Sequence, residues 1–274
     1  MMLKVIRTGR FLAKLIMITT LAFSASAADS QKQIIAAAEL SGLFEKDLHG
    51  RPYGAYATLI QQALNETGLE KEYELVILPM KRAKVGFINK QFACYAPGID
   101  TFDQPDERQK LTNTLTSAPL NIALVRVLSD RDLPLVTSLA DISAEDTISI
   151  VRGTPMSTEM RQLADRAGRM YQVQSELENI AMLQNHRVNH LFVFYPDVLF
   201  AYERLGLAQH FAYAKGFSPL IIHDAITCHA KHTKALNTLS ATIREYREDG
   251  TLQKVLGQAY LLDSPLSADL DIND

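Results

Sequence analysis

Three groups of residues have the types and spacing for chemistry. The first centres on Arg108, in the run Pro105-Asp106-Glu107-Arg108, which follows a Pro97-Gly98 turn and a polar loop holding Asp100. A guanidinium presents fixed donors that match a carboxylate two at a time. Arg108 is therefore suited to hold an anionic group, the alternative being a solvated charge on the first turn of a helix. The second group is Cys228, His229 and His232. Their spacing suits a metal, but no further ligands accompany them, and a surface cluster is the simpler reading. The third is the pair Cys94 and Cys228, the only cysteines in the chain. No G-x-S-x-G, H-E-x-x-H or P-loop run occurs, and no nucleophile is matched to a base. The expectation is a binding protein, not an enzyme, with no metal and no cofactor.

These residues must be positioned by alternating elements. Residues 33–38 form a short apolar run that predicts a strand, 39–44 read as a loop, and Gly50-Arg51-Pro52-Tyr53-Gly54 is a turn run. Leu59, Ile60, Ala63 and Leu64 recur at helical spacing, and Gly68 ends that helix. Residues 73–78 predict a second strand, Pro79 breaks it, and Met80, Ala83, Phe87 and Ile88 mark a second helix. The apolar run 92–96 predicts a third strand. Strands and helices alternating in short units predict an α/β protein with a parallel sheet. Open sheets of that kind bind ligands beyond the carboxyl ends of their strands. Farther on, 122–128, 147–151, 170–173 and 191–195 predict strands, and 217–227 predicts a strand leading to Cys228. Gly153-Thr154-Pro155 predicts a helix start with Thr154 as N-cap, either an ordinary cap or a seat for an anionic group. Asp197, after Pro196, reads as a capping residue at the next helix start.

The order of these pieces resembles the family 3 periplasmic solute-binding proteins, which include the polar amino-acid receptors of ABC importers. The resemblance rests on Gly98, Asp106-Glu107-Arg108 and Thr116-Ser117-Ala118-Pro119-Leu120. It rests also on Gly50-x-Pro52-x-Gly54, Leu78-Pro79-Met80-Lys81-Arg82-Ala83 and Asn185-His186-Arg187-Val188-Asn189. The last segment, from Leu236-Asn237 through Asp249-Gly250-Thr251 to Lys254-Val255, extends it to nearly the whole chain after residue 27. The resemblance implies the type II periplasmic-binding fold: one lobe from 28–120 and 218–274, a second from 121–217, and a hinge of two connections that closes on ligand. It implies that Arg108 binds a ligand carboxylate. Gly98, Asp100, Glu39, Tyr53 and Arg82 are candidate ligand contacts from the first lobe, and Thr154, Phe194 and Tyr195 from the second; Phe44 and Met80 read as core or pocket. Amino-acid-binding members carry an Asp near the last of these strand ends that holds the ligand's ammonium. Aligned on Pro196, that position is Phe194 here, so a carboxylate ligand is implied and an α-amino acid is not. Phe194 and Tyr195 would instead stack on a planar or apolar ligand. The implied function is capture of a small carboxylate-bearing solute by a monomer, for delivery to an inner-membrane ABC permease. A ligand-sensing receptor for a signalling partner, or a dehydratase-like enzyme on the same fold, are the alternatives.

The N-terminal residues bear on the compartment. Lys4, Arg7, Arg10 and Lys14 flank an apolar stretch, and Ala25-Ser26-Ala27 is an A-x-A cleavage signal. Residues 1–27 read as a secretory signal peptide, with an apolar core shorter than the roughly 20 residues of a spanning helix. The expected compartment is the periplasm. Removing 1–27 takes away four basic residues and no acid, leaving 24 basic and 31 acidic, a net charge of −7. That balance, with no basic stripe, excludes a nucleic-acid partner. An oxidising compartment favours a Cys94–Cys228 disulfide. Two buried free thiols are the rival reading. The tail after Leu262 is acidic and reads as loose.

Overall fold

A computed structural model describes residues 31–263. The signal peptide expected at 1–27 and most of the acidic tail lie outside the described residues. The chain begins with β1 (Gln33–Ala38), a small hairpin of β2 (Glu45–Lys46) and β3 (Pro52–Tyr53), and α1 (Ala55–Thr67). It continues through β4 (Tyr73–Leu78), α2 (Met80–Ile88), β5 (Cys94–Ala96), α3 (Pro105–Gln109) and β6 (Thr114–Thr116). Next come β7 (Asn121–Ser129), β8 (Thr147–Val151), α4 (Thr158–Arg166), β9 (Arg169–Val173) and α5 (Glu176–Gln184). The last part holds β10 (His190–Tyr195), α6 (Asp197–Arg204), β11 (Ile221–Asp224), β12 (Thr227–His229), α7 (Thr233–Glu248) and α8 (Thr251–Leu256). No helix among the described residues is long and apolar enough to cross a membrane.

Two five-stranded sheets result, ordered β4-β1-β5-β12-β6 and β11-β7-β10-β8-β9. In the first, β1 runs parallel to β4 and β5, while β12 returns antiparallel between β5 and β6. In the second, β8 runs parallel to β9 and β10, and β7 lies antiparallel between β10 and β11. The composition of β1 follows from its place. Its two faces are both covered, so apolar residues run along it without polar alternation. Ile35 and Ala37 pack into the cluster with Leu59, Ile60, Leu236 and Leu239, whereas Ala36 and Ala38 face Ala83, Phe87 and Phe102.

Three local readings shift. The segment 217–227 is not one strand: β11 stays in the second sheet as the partner of β7, with Asp224 opposite Asn121, and β12 starts only at Thr227. Pairing with β11 satisfies the edge of β7 that β10 leaves free. The return to the first sheet therefore falls at Ala225 and Ile226, later than the expected Ser218. Thr154 does not cap a helix. Its N–H turns back to the Val151 carbonyl at 3.1 Å, and Ser157 caps α4 by accepting from the Met160 N–H at 3.2 Å. Proline is tolerated at N1, so what marks the later start is the cap itself, the Ser157 side chain holding the Met160 N–H. The third strand is also shorter than its apolar run, beginning at Cys94.

The two crossings between sheets are bonded to each other. The Ser117 N–H donates to the Ile226 carbonyl at 2.8 Å, and the Leu120 N–H to the Asp224 carbonyl at 2.7 Å. The Ile226 N–H returns a bond to Ser117 Oγ at 3.0 Å. Just beyond, Cys94 and Cys228 stand opposite each other on β5 and β12 and are disulfide-bonded, with Cα atoms 4.0 Å apart.

Candidate functional site

The carboxyl ends of β1, β4, β8 and β10 open toward one cleft of about 740 Å³, walled by both sheets. Glu39, just past β1, and Met80, Lys81 and Lys84 on α2 line it from the first sheet. Arg152, Thr154, Glu176, Phe194 and Asp197 line it from the second. Most of these groups come from loops and helix starts that follow strands, where open sheets bind ligands, while Phe194 lies on β10 itself and Lys84 farther along α2.

The cations in this lining differ in availability. Lys84 is buried and already satisfied: its Nζ donates to the Thr101 carbonyl at 2.8 Å, lies 3.3 Å from Glu107 Oε2 and sits 5.1 Å from the Phe102 ring centroid. Arg204 pairs with Glu45 across the mouth of the cleft. A second bridge crosses elsewhere, where Arg161 Nη1 meets Asp103 Oδ2 at 2.8 Å and the Met156 N–H donates to the same oxygen at 3.2 Å. Beside the first bridge, Gly42 has φ +71° and no room for a Cβ against the Phe200 ring, so glycine there lets α6 approach the first sheet. Arg152 and Lys81 have no ion-pair partner among the described residues.

The inner end is acidic and buried. Tyr56 donates to Asp224 Oδ2 at 2.6 Å, and Asn179 Nδ2 donates to Glu176 Oε2 at 3.0 Å. Burial pushes the Glu176 carboxyl up to about 7, against the Asn179 hydrogen bond. Burial likewise pushes Asp224 up to about 7, against the bond from Tyr56. Asp197 is raised well above the usual carboxylate range, by burial first and then by the nearby Asp224 and Glu176.

Of the residues singled out in the sequence, Glu39, Thr154 and Phe194 come together on the cleft. Arg108 does not line it. Its Nε donates to the Phe102 carbonyl at 2.7 Å, its Nη2 lies 3.9 Å from Asp100 Oδ1, and its side chain is 51% exposed. Asp100 accepts from the His223 N–H at 3.1 Å, so it ties the Gly98 turn to β11. Gly98 itself, at φ 120°, packs against the backbone of Ala225 at the return crossing. Tyr53 sits on the hairpin beside Glu45, whose hydrogen bond raises the phenol's pKa. Arg82 is exposed on α2. Tyr195 points to the opposite face of its sheet from Phe194, with its ring 5.4 Å from that of Tyr213. Neighbours on a strand must face opposite ways, so the two aromatics cannot share one wall. The residues that sequence reading missed are Lys84, Arg152, Glu176, Asp224 and the Glu45–Arg204 pair. Ser175-Glu176 opens a helix and reads as ordinary capping; nothing local marks it as a cleft acid.

No family model matches the chain, and no curated protein matches it. Solved structures do. An amino acid ABC transporter substrate-binding protein, AbpA of Streptococcus pneumoniae, bound to L-arginine, is 16% identical, with 88% of this chain and 96% of that one covered and a TM-score of 0.61. A mutant of ArgBP from T. maritima is 13% identical, with 83% and 94% covered and a TM-score of 0.62. A histidine kinase sensor domain with similarity to periplasmic binding proteins is 10% identical, with 84% and 96% covered and a TM-score of 0.63. The chain therefore has the type II periplasmic-binding fold, the fold of the family 3 solute-binding proteins that its motifs resemble.

Proposed function

We propose that this chain captures a small charged solute between its two sheets in the periplasm, as a monomer, and delivers it to an inner-membrane ABC importer. One observation carries the reading: a cleft of about 740 Å³ lies between the sheets, lined from both, with unpaired cations and buried acids in its walls. The two sheets act as lobes, the crossings at Ser117–Leu120 and Ala225–Ile226 act as the hinge, and closure sequesters the ligand. A carboxylate on the solute meets Arg152 and Lys81, because Arg108 stands off the cleft. Native mass spectrometry of the exported protein, followed by extraction and identification of whatever it retains, tests this. Recovery of a stoichiometric small molecule that rebinds in titration calorimetry is the expected result. An empty protein that no member of a broad solute panel stabilises would overturn it.

A sensing role is the second reading, supported by the likeness to a histidine kinase sensor domain. Deletion separates the two. Loss of uptake of the retained solute favours delivery to an importer, whereas loss of a transcriptional or chemotactic response with uptake intact favours sensing.

A further inference from the structure

The lining of the cleft changes toward its inner end. Leu40, Met80 and Phe194 border both the main cleft and a narrow slot that ends on Asp197 and Asp224. Glu176 reaches the same end from the first turn of α5 and acts electrostatically on Asp197. The three acids differ in how they are held. Asp224 has Tyr56 and Glu176 has Asn179 as donors. Asp197 is only 6% exposed, and among the described residues its carboxylate meets no donor but its own backbone N–H. Among the described residues none of the three is ion-paired to a lysine or arginine: Lys84, Arg161 and Arg204 pair with other acids. The free cations, Arg152 and Lys81, line the main cleft but not the slot.

A buried carboxylate without a counter-charge is costly, and the cost is relieved by a proton or by a cation. An anionic group entering this end would meet three acids and no cationic donor. An ammonium would meet an unpartnered acceptor with two further acids beside it. The apolar walls would cover the remainder of such a molecule, the usual division of labour in small-ligand sites.

We propose that the inner end of the cleft binds the cationic head of a small organic amine, with Asp197 as its principal partner, Glu176 and Asp224 beside it, and Leu40, Met80 and Phe194 against its apolar body. This rests on the reading that the cleft takes a solute, and it names the class: the positive head is required and a carboxylate is dispensable. Phe194, which stands where an acid was expected, then contributes a wall, and Asp197 supplies the charge from three residues farther along, at the start of α6.

Three probes of nearly one shape separate charge from bulk: phenethylamine, 3-phenylpropionate and L-phenylalanine, with putrescine as an amine that has no ring. Titration calorimetry and thermal shift on the mature protein should rank phenethylamine at least tenfold above 3-phenylpropionate. Asp197→Asn should weaken phenethylamine at least tenfold, and Glu176→Gln should weaken it several-fold; circular dichroism checks that both variants fold. Equal or tighter binding of 3-phenylpropionate, or unchanged phenethylamine affinity in both folded variants, would overturn the cation subsite. So would a panel in which no amine binds. A retained anion found by mass spectrometry would then leave solute capture standing and this assignment refuted.

Discussion

Glu176, Asp197 and Asp224 are carboxyls that folding makes harder to ionise. A group whose pKa is raised in the folded state binds its proton more tightly there than in the unfolded chain. For Glu176 and Asp224 this contribution favours folding fully below about pH 4 and is lost as pH rises through about 7. For Glu176, raised from 4.5 to about 7 while fully buried, the loss at alkaline pH is on the order of 3 kcal/mol. His190, His229 and His232 oppose this, because burial lowers each of their pKa values. Their contribution is present above their ordinary value of 6.5 and is lost as pH falls. We expect the melting temperature of the ligand-free protein to rise as pH is lowered from about 8.5 to about 7, then to level or turn over in more acid buffer. Glu176→Gln should flatten the alkaline limb. Scanning calorimetry across that range decides it, and a melting temperature that falls steadily from alkaline to neutral pH would contradict the assignment.

Among the elements, β12 is the one that locks the architecture of the first sheet. It inserts between β5 and β6, and its Cys228 is bridged to Cys94 across 134 residues of chain. A bridge closing so long a loop restricts the unfolded chain strongly, by about 2–4 kcal/mol in typical cases. The double variant Cys94→Ser, Cys228→Ser should lose stability of that order in urea unfolding, with solute affinity unchanged, since both cysteines are buried in one sheet away from the cleft lining. A thiol assay on denatured, unreduced protein should find no free thiol. Two titratable thiols, or a variant as stable as the parent, would show that the bridge is not what holds β12.

At the level of the whole molecule, the contacts that join the sheets outside the crossings include two ion pairs and one aromatic contact. Arg204 reaches Glu45, Arg161 reaches Asp103, and Phe200 rests on Gly42. Partly exposed pairs of this kind contribute about 0–1 kcal/mol each, too little to matter for folding. They are enough to bias a hinge whose two positions differ by a few kcal/mol. Replacing Glu45 with Gln and Arg161 with Gln together should leave the melting temperature nearly unchanged while raising the ligand-free radius of gyration in small-angle X-ray scattering. Addition of the retained solute should reverse the increase. Scattering indistinguishable from the parent would mean that the pairs do not govern opening.

What the sequence determined by itself was local or ordinal. The strands at Gln33–Ala38, Tyr73–Leu78 and Thr147–Val151 were legible because a short, mostly apolar run rich in strand-forming residues needs no knowledge of its neighbours. Gly68 and Gly250 ended helices in the left-handed conformation that glycine adopts without strain. The order of the short motifs marked the fold. The direction in which side chains point across the cleft was decided only by tertiary structure. The alternation of Phe194 and Tyr195 could be read in the strand, yet which of them meets the cleft depends on what packs behind the sheet. Arg108 turned to the Phe102 carbonyl and to Asp100, and Asp100 is itself held by His223, 123 residues away. Asp197 read as a helix cap because its chain neighbours offered nothing else. Its isolation beside Glu176 and Asp224 exists only once α5, α6 and β11 converge, because charge and burial act through space and no local pattern records which distant acids will share one buried end of a cleft.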